Sequence, residues 1–145
     1  MAPTTTVKFL YPPDFQHGDY VDTGIGPSRY VAQLLGDATD TEDESAVVKI
    51  AIGDMVNQKG ETATKFVIEK VEYDIQGFTG VMLSFDRIPE NRVFTMGGES
   101  VGSQDFTRTG GMVDTGEGGT GNLLLTTRGG SVLDTYNITI TFRVK

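Results

Sequence analysis

The chain has no cysteine, no tryptophan and a single histidine among its 145 residues. Without cysteine it can form no disulfide and no thiolate metal site, and it has no cysteine nucleophile. That fits assembly in a reducing cytoplasm. The one histidine, His17, lies in the Gly-, Asp- and Pro-rich stretch 15–28 and reads as a surface residue of a loop. No apolar run approaches the eighteen or so residues that a membrane helix needs, and M-A-P-T-T-T lacks the basic and apolar regions of a signal peptide. Twelve Lys and Arg against twenty Asp and Glu give a formal net charge of −8, which argues against a nucleic-acid partner because phosphate contacts require clustered cations. No cofactor, no metal and no membrane partner is expected.

What is present points to strands. The run Asp134 to Lys145 reads D-T-Y-N-I-T-I-T-F-R-V-K, with Tyr136, Ile138, Ile140, Phe142 and Val144 alternating with polar residues. Side chains of a strand alternate between two faces, so this pattern predicts a β-strand with one buried face in the middle of a sheet. A helix would smear the same pattern around its circumference. The 19 glycines and many threonines extend the all-β profile to the rest of the chain.

Further strands are predicted around V-V-K-I-A-I (47–52), with Val48, Ile50 and Ile52 inward, and over 66–76, with Val71, Tyr73 and Ile75 inward. Gln76-Gly77-Phe78-Thr79-Gly80 then leads into Val81, Leu83 and Phe85, which reads as a hairpin with a Gly-containing turn. Short strands at 92–96 and 122–127 complete the set, with a polar turn around Gly60. Residues 29–35 (R-Y-V-A-Q-L-L) fit a strand or a short helical turn equally well, ended by Gly36. The thinly apolar stretch 99–120 reads as a long ordered loop. The expectation is an antiparallel β-sandwich or jelly roll of seven or eight strands with long Gly-rich loops. It comprises an N-terminal extended segment (1–14) and one domain (15–145).

The N-terminal segment carries Val7, Phe9, Leu10 and Tyr11 before Pro12-Pro13 interrupts any regular element. It is either the first strand of the sandwich or an arm that packs on a neighbouring subunit. These four residues are therefore the candidate partner-binding residues.

Tests for chemistry largely fail. The acidic run Asp37, Asp40, Glu42, Asp43, Glu44 lacks the oxygen spacing and glycine of a calcium loop, and reads as a solvated loop. Gly116 to Gly121 matches G-x-G-x-x-G, but a β-like Leu123–Thr127 follows where a nucleotide site needs a helix. Glu72, Asp74 and Asp86, outward on neighbouring strands of the expected hairpin, are the remaining catalytic option, a carboxylate pair of the glycosidase kind. The reading is that the chain is not an enzyme. A carbohydrate- or receptor-binding sandwich stays open, with Tyr20, Tyr30 and Phe78 as its possible exposed aromatics.

Three segments carry a family likeness: V-E-Y-D-I-Q-G-F-T-G-V-M-L-S-F-D (71–86), G-G-T-G-N-L-L-L-T-T-R-G (118–129) and L-D-T-Y-N-I-T-I-T-F-R-V-K (133–145). Together they resemble small virion proteins of tailed bacteriophages, with Phe85 standing where that pattern has Trp and Asn122 where it has Asp. The resemblance covers the second half of the chain. It implies a capsid decoration (cement) protein, or else a tail or head-to-tail component, located in the virion after assembly in the host cytoplasm. The implied partners are the major capsid protein or another virion protein, and further copies of the chain as a dimer or trimer.

Overall fold

A computed structural model describes residues 4–11, 29–38 and 43–145. His17, Tyr20, the Pro12-Pro13 break and the Asp40 and Glu42 part of the acidic run lie outside the described residues.

The fold is all-β: ten strands in two antiparallel sheets, with no α-helix among the described residues. In chain order the strands are β1 (Thr4–Tyr11), β2 (Tyr30–Asp37), β3 (Val47–Ile50), β4 (Phe66–Gln76), β5 (Gly80–Phe85), β6 (Asn91–Gly97), β7 (Val101–Asp105), β8 (Met112–Val113), β9 (Leu123–Arg128) and β10 (Thr135–Val144). One sheet runs β1-β2-β10-β4-β7, with β8 also paired to β4, and the other runs β3-β9-β5-β6.

The alternating C-terminal run is β10, and it lies at the centre of the larger sheet, between β2 and β4. Tyr136, Ile138, Ile140 and Phe142 are buried, as their period of two requires. Opposite them β2 contributes Tyr30, Ala32 and Leu34, and β4 contributes Phe66, Ile68, Val71 and Ile75. Val81, Leu83 and Phe85 of β5 and Leu123 and Leu125 of β9 close the core from the other sheet. Tyr30 stacks on Phe142 at 5.4 Å and Phe66 on Phe85 at 5.8 Å, so aromatic rings tie strands within a sheet and across the two.

Several expectations are corrected. Residues 66–85 do not form a hairpin: β4 pairs with β10, β7 and β8, whereas β5 pairs with β6 and β9. Residues 77–79 carry the chain from one sheet to the other. Phe78 is driven inward at this crossing, 1% exposed and 5.9 Å from the Tyr136 ring. Gly77 has φ +90°, and a Cβ there would meet the Asp134 carboxylate at 1.9 Å. The stretch 99–120 is not one long loop, because β7 and β8 add to the far side of β4; they account for the two strands beyond the eight expected. β7 is V-G-S-Q-D and mostly exposed, so main-chain pairing makes it a strand and burial does not.

Residues 30–37 are a strand, and Gly36 lies inside it instead of ending it. A Cβ on Gly36 would sit 2.2 Å from the Tyr136 ring, so the glycine makes room for that ring. In β3 the register shifts between Val48 and Ile50. That bulge leaves Val48 half exposed and turns Lys49 inward, whereas Ile50 and Ile52 are buried as expected.

Candidate functional site

Among the described residues β1 is the terminal strand of one sheet and β3 of the other, and both lie on the same side of the sandwich. A groove of about 250 Å³ runs between them, lined by Val7 and Phe9 of β1 and by Lys49, Ile50, Ala51 and Met55. Phe9 is partly buried and meets Tyr30 edge-on at 6.2 Å. Val7, Leu10 and Tyr11 are 36%, 43% and 52% exposed, and Val47 and Val48 of β3 are exposed as well. The four candidate residues thus belong to an edge strand, three of them open to solvent and one turned to the core. The opposite side is closed differently: Phe94 of β6 reaches across to Tyr73 at 5.8 Å and to Phe106 at 6.1 Å.

Beneath the groove lies a buried polar clasp. Glu44 is buried, not solvated as the acidic run implied; its carboxylate takes a hydrogen bond from the Lys49 ammonium and another, at 2.7 Å, from the Tyr136 hydroxyl. Both members of the ion pair have side chains only 3% exposed. The backbone of Glu44 is held as well, its N–H donating to Thr127 Oγ1 at 2.9 Å and its carbonyl accepting from the Thr127 N–H at 3.0 Å. The clasp therefore joins β3 and β9 of one sheet to β10 of the other. Burial, reinforced by the hydrogen bond to the Glu44 carboxylate, pushes the ionisation of Tyr136 well above the ordinary tyrosine range.

No known protein family, curated protein or solved structure matches this chain. Its chemistry is therefore read from its own side chains.

The carboxylate pair expected on a hairpin does not assemble, because Glu72 and Asp74 belong to β4 of one sheet while Asp86 follows β5 of the other. Asp86 instead accepts a 2.6 Å hydrogen bond from the Thr120 hydroxyl, and that bond first, with the Thr120 N–H second, holds its carboxyl below the usual aspartate range. Arg87 donates to buried Asp114 at 2.8 Å and to the Gly118 and Thr64 carbonyls, so the G-x-G-x-x-G segment is an ordered loop followed by a strand. Of the three candidate aromatics for a glycan, Tyr30 and Phe78 are fully buried, and Tyr20 lies outside the described residues. Among the described residues no group of three metal-ligating side chains clusters, and no helix is long and apolar enough to cross a membrane.

Sequence reasoning missed the clasp, which joins residues more than ninety positions apart, and it missed the paired exposure of β1 and β3. A lysine inside a strand pattern, at position 49, is the one local sign that a buried charge needed a partner.

Proposed function

We propose that this chain is a non-enzymatic structural protein of a tailed-bacteriophage particle, a capsid decoration protein that binds the head shell through its β1 edge. The likeness to small phage virion proteins carries the reading. Its three segments fall on β4 and β5, on β9 and on β10, the strands around which both sheets are built. The apolar groups of β1 support the attachment surface: an edge strand is where a second chain can add main-chain hydrogen bonds, and Val7, Leu10 and Tyr11 offer apolar area beside it. A formal charge of −8 keeps the free protein soluble and favours a shell surface with basic patches.

The test uses shells purified from particles that lack the protein. Wild type is expected to add back in many copies per shell on a stained gel. The triple variant Val7→Thr, Leu10→Ser, Tyr11→Ser should keep its melting temperature within a few degrees and bind at least tenfold more weakly. A few copies confined to the tail or the head-to-tail junction would move the assignment there, and no binding at all would reject it.

A further inference from the structure

The most exposed large apolar side chain among the described residues is Leu133, 85% open to solvent, next to Val132 at 57%. Both occupy the corner of a four-residue turn, Ser131 to Asp134, closed by Asp134 N–H donating to the Ser131 carbonyl at 3.0 Å. Leu133 has φ +76°, while Val132 does not have positive φ. That is the signature of a type II turn, whose third position calls for glycine or asparagine. A bulky residue there is strained, and strain that persists is held by its surroundings. The holding contacts are present. The Asp134 carboxylate accepts from Ser131 N–H at 2.8 Å, Leu133 N–H donates to the Ala38 carbonyl at 3.2 Å, and Asp43 accepts from the Gly129 and Gly130 N–H groups. A fixed turn therefore displays two apolar side chains outward at a position where glycine would fit more easily.

Charge is distributed unevenly along the sandwich. Around this turn gather Asp37, Asp43, Asp74, Glu99 and Asp134, with Arg128 the one cation among them in the described residues. At the other end of β10 is a groove of about 360 Å³ lined by Gln58, Lys59, Glu61, Arg143, Val144 and Lys145. Lys59, Arg143 and Lys145 lie there with Glu61, and Val144 and the lysine and arginine stems supply apolar wall. The two features lie at opposite ends of one strand.

We propose that the Val132–Leu133 turn of one copy docks into the Lys59–Arg143–Lys145 groove of a second copy, so that chains join head to tail. The acidic surround of the turn matches the basic groove, which gives the contact its polarity and a dependence on salt. Unlike surfaces meet, so the contact is heterologous and repeats until a ring closes or an open filament grows. With β10 spanning the distance between the two surfaces at about 3.3 Å per residue, each added copy advances roughly 35 Å.

Sedimentation velocity of the full chain over a concentration series tests this without any knowledge of a shell. Expected is a weight-average mass that rises above 15.7 kDa with concentration at low salt and returns to it at high salt. Leu133→Gly should lose association at least tenfold while melting at or above the wild-type temperature, because it relieves the turn. Lys59→Glu should lose association to a similar degree. Neither variant alone assembles, yet an equimolar mixture of the two should form a dimer and stop there, since one chain keeps its groove and the other its turn. A wild type that stays monomeric at every concentration overturns the proposal. So does a Lys59→Glu variant that assembles normally, or a mixture that remains monomeric.

Discussion

Removing the Glu44 carboxylate is the sharpest test of how the two sheets are held together. Glu44→Ala leaves the Lys49 ammonium buried without its counter-charge and the Tyr136 hydroxyl without its acceptor. Breaking a buried ion pair by deleting one partner costs about 3–5 kcal/mol, because the surviving charge stays desolvated. Tyr136→Phe removes only the neutral donor and leaves the ion pair intact, so it should cost about 1.5 kcal/mol, the low end for a hydrogen bond to a charged group. Replacing the whole clasp, Glu44→Leu with Lys49→Met and Tyr136→Phe, leaves no orphaned polar group and should return to within about 1 kcal/mol of wild type. The variant with three substitutions thus costs less than either variant with one. Urea unfolding at neutral pH followed by far-UV circular dichroism measures all of them, with unchanged slopes expected because the buried area is nearly the same. If Glu44→Ala loses less than about 1 kcal/mol, or if removing Lys49 as well recovers nothing, the clasp is not a buried ion pair and the reasoning fails.

Two further outcomes follow from the same geometry. Ile140 is fully buried at the centre of β10, so Ile140→Asp should destabilise by several kcal/mol, through lost packing and an unpaired carboxylate, and leave a soluble chain without a cooperative melt. The Asp86 carboxyl titrates below the ordinary value because Thr120 bonds its charged form; the stability it contributes is present above about pH 4 and is lost as pH falls through its lowered folded value. Side-chain carboxyl NMR of Thr120→Val should show the Asp86 midpoint moved upward, and an unmoved midpoint would remove Thr120 as the cause.

β10 was legible because its alternation is unbroken and one of its faces is wholly buried. β2 was not, because Val31 and Leu35 put apolar residues on the outer face as well, which blurred a period of two that Tyr30, Ala32 and Leu34 obey. Alternation on both sides of Gly77 could not distinguish a hairpin from a crossing between sheets, since a strand reads the same whichever neighbour it pairs with. The partners that decide it, β9 and β10, come some forty to seventy residues later in the chain. β7 left no trace because its stability comes from main-chain bonds to β4, to which composition is blind. The apolar residues of β1 were visible as candidates; their position beside β3 was not. The turn at Leu133 was invisible for a different reason: a positive φ at leucine is imposed by the hydrogen bond its N–H donates to the Ala38 carbonyl and by the one Asp134 N–H donates to the Ser131 carbonyl, and the residue itself argues against it.

The crossing between β4 and β5 also sets a timetable for synthesis. Among the described residues, apart from β1 with β2 and β5 with β6, no two consecutive strands pair, and β2 meets β4 only through β10, about a hundred residues after β2 has been made. While the chain is being translated, the inner edges of β2 and β4 therefore wait without a partner, and loop closure over such distances is slow. Stepwise folding from the N-terminus cannot complete this topology: the two parts of the larger sheet, β1 with β2 and β4 with β7 and β8, are joined only when β10 is released. For that interval the nascent protein depends on its charge, or on a chaperone, to keep those waiting edges from pairing with another chain.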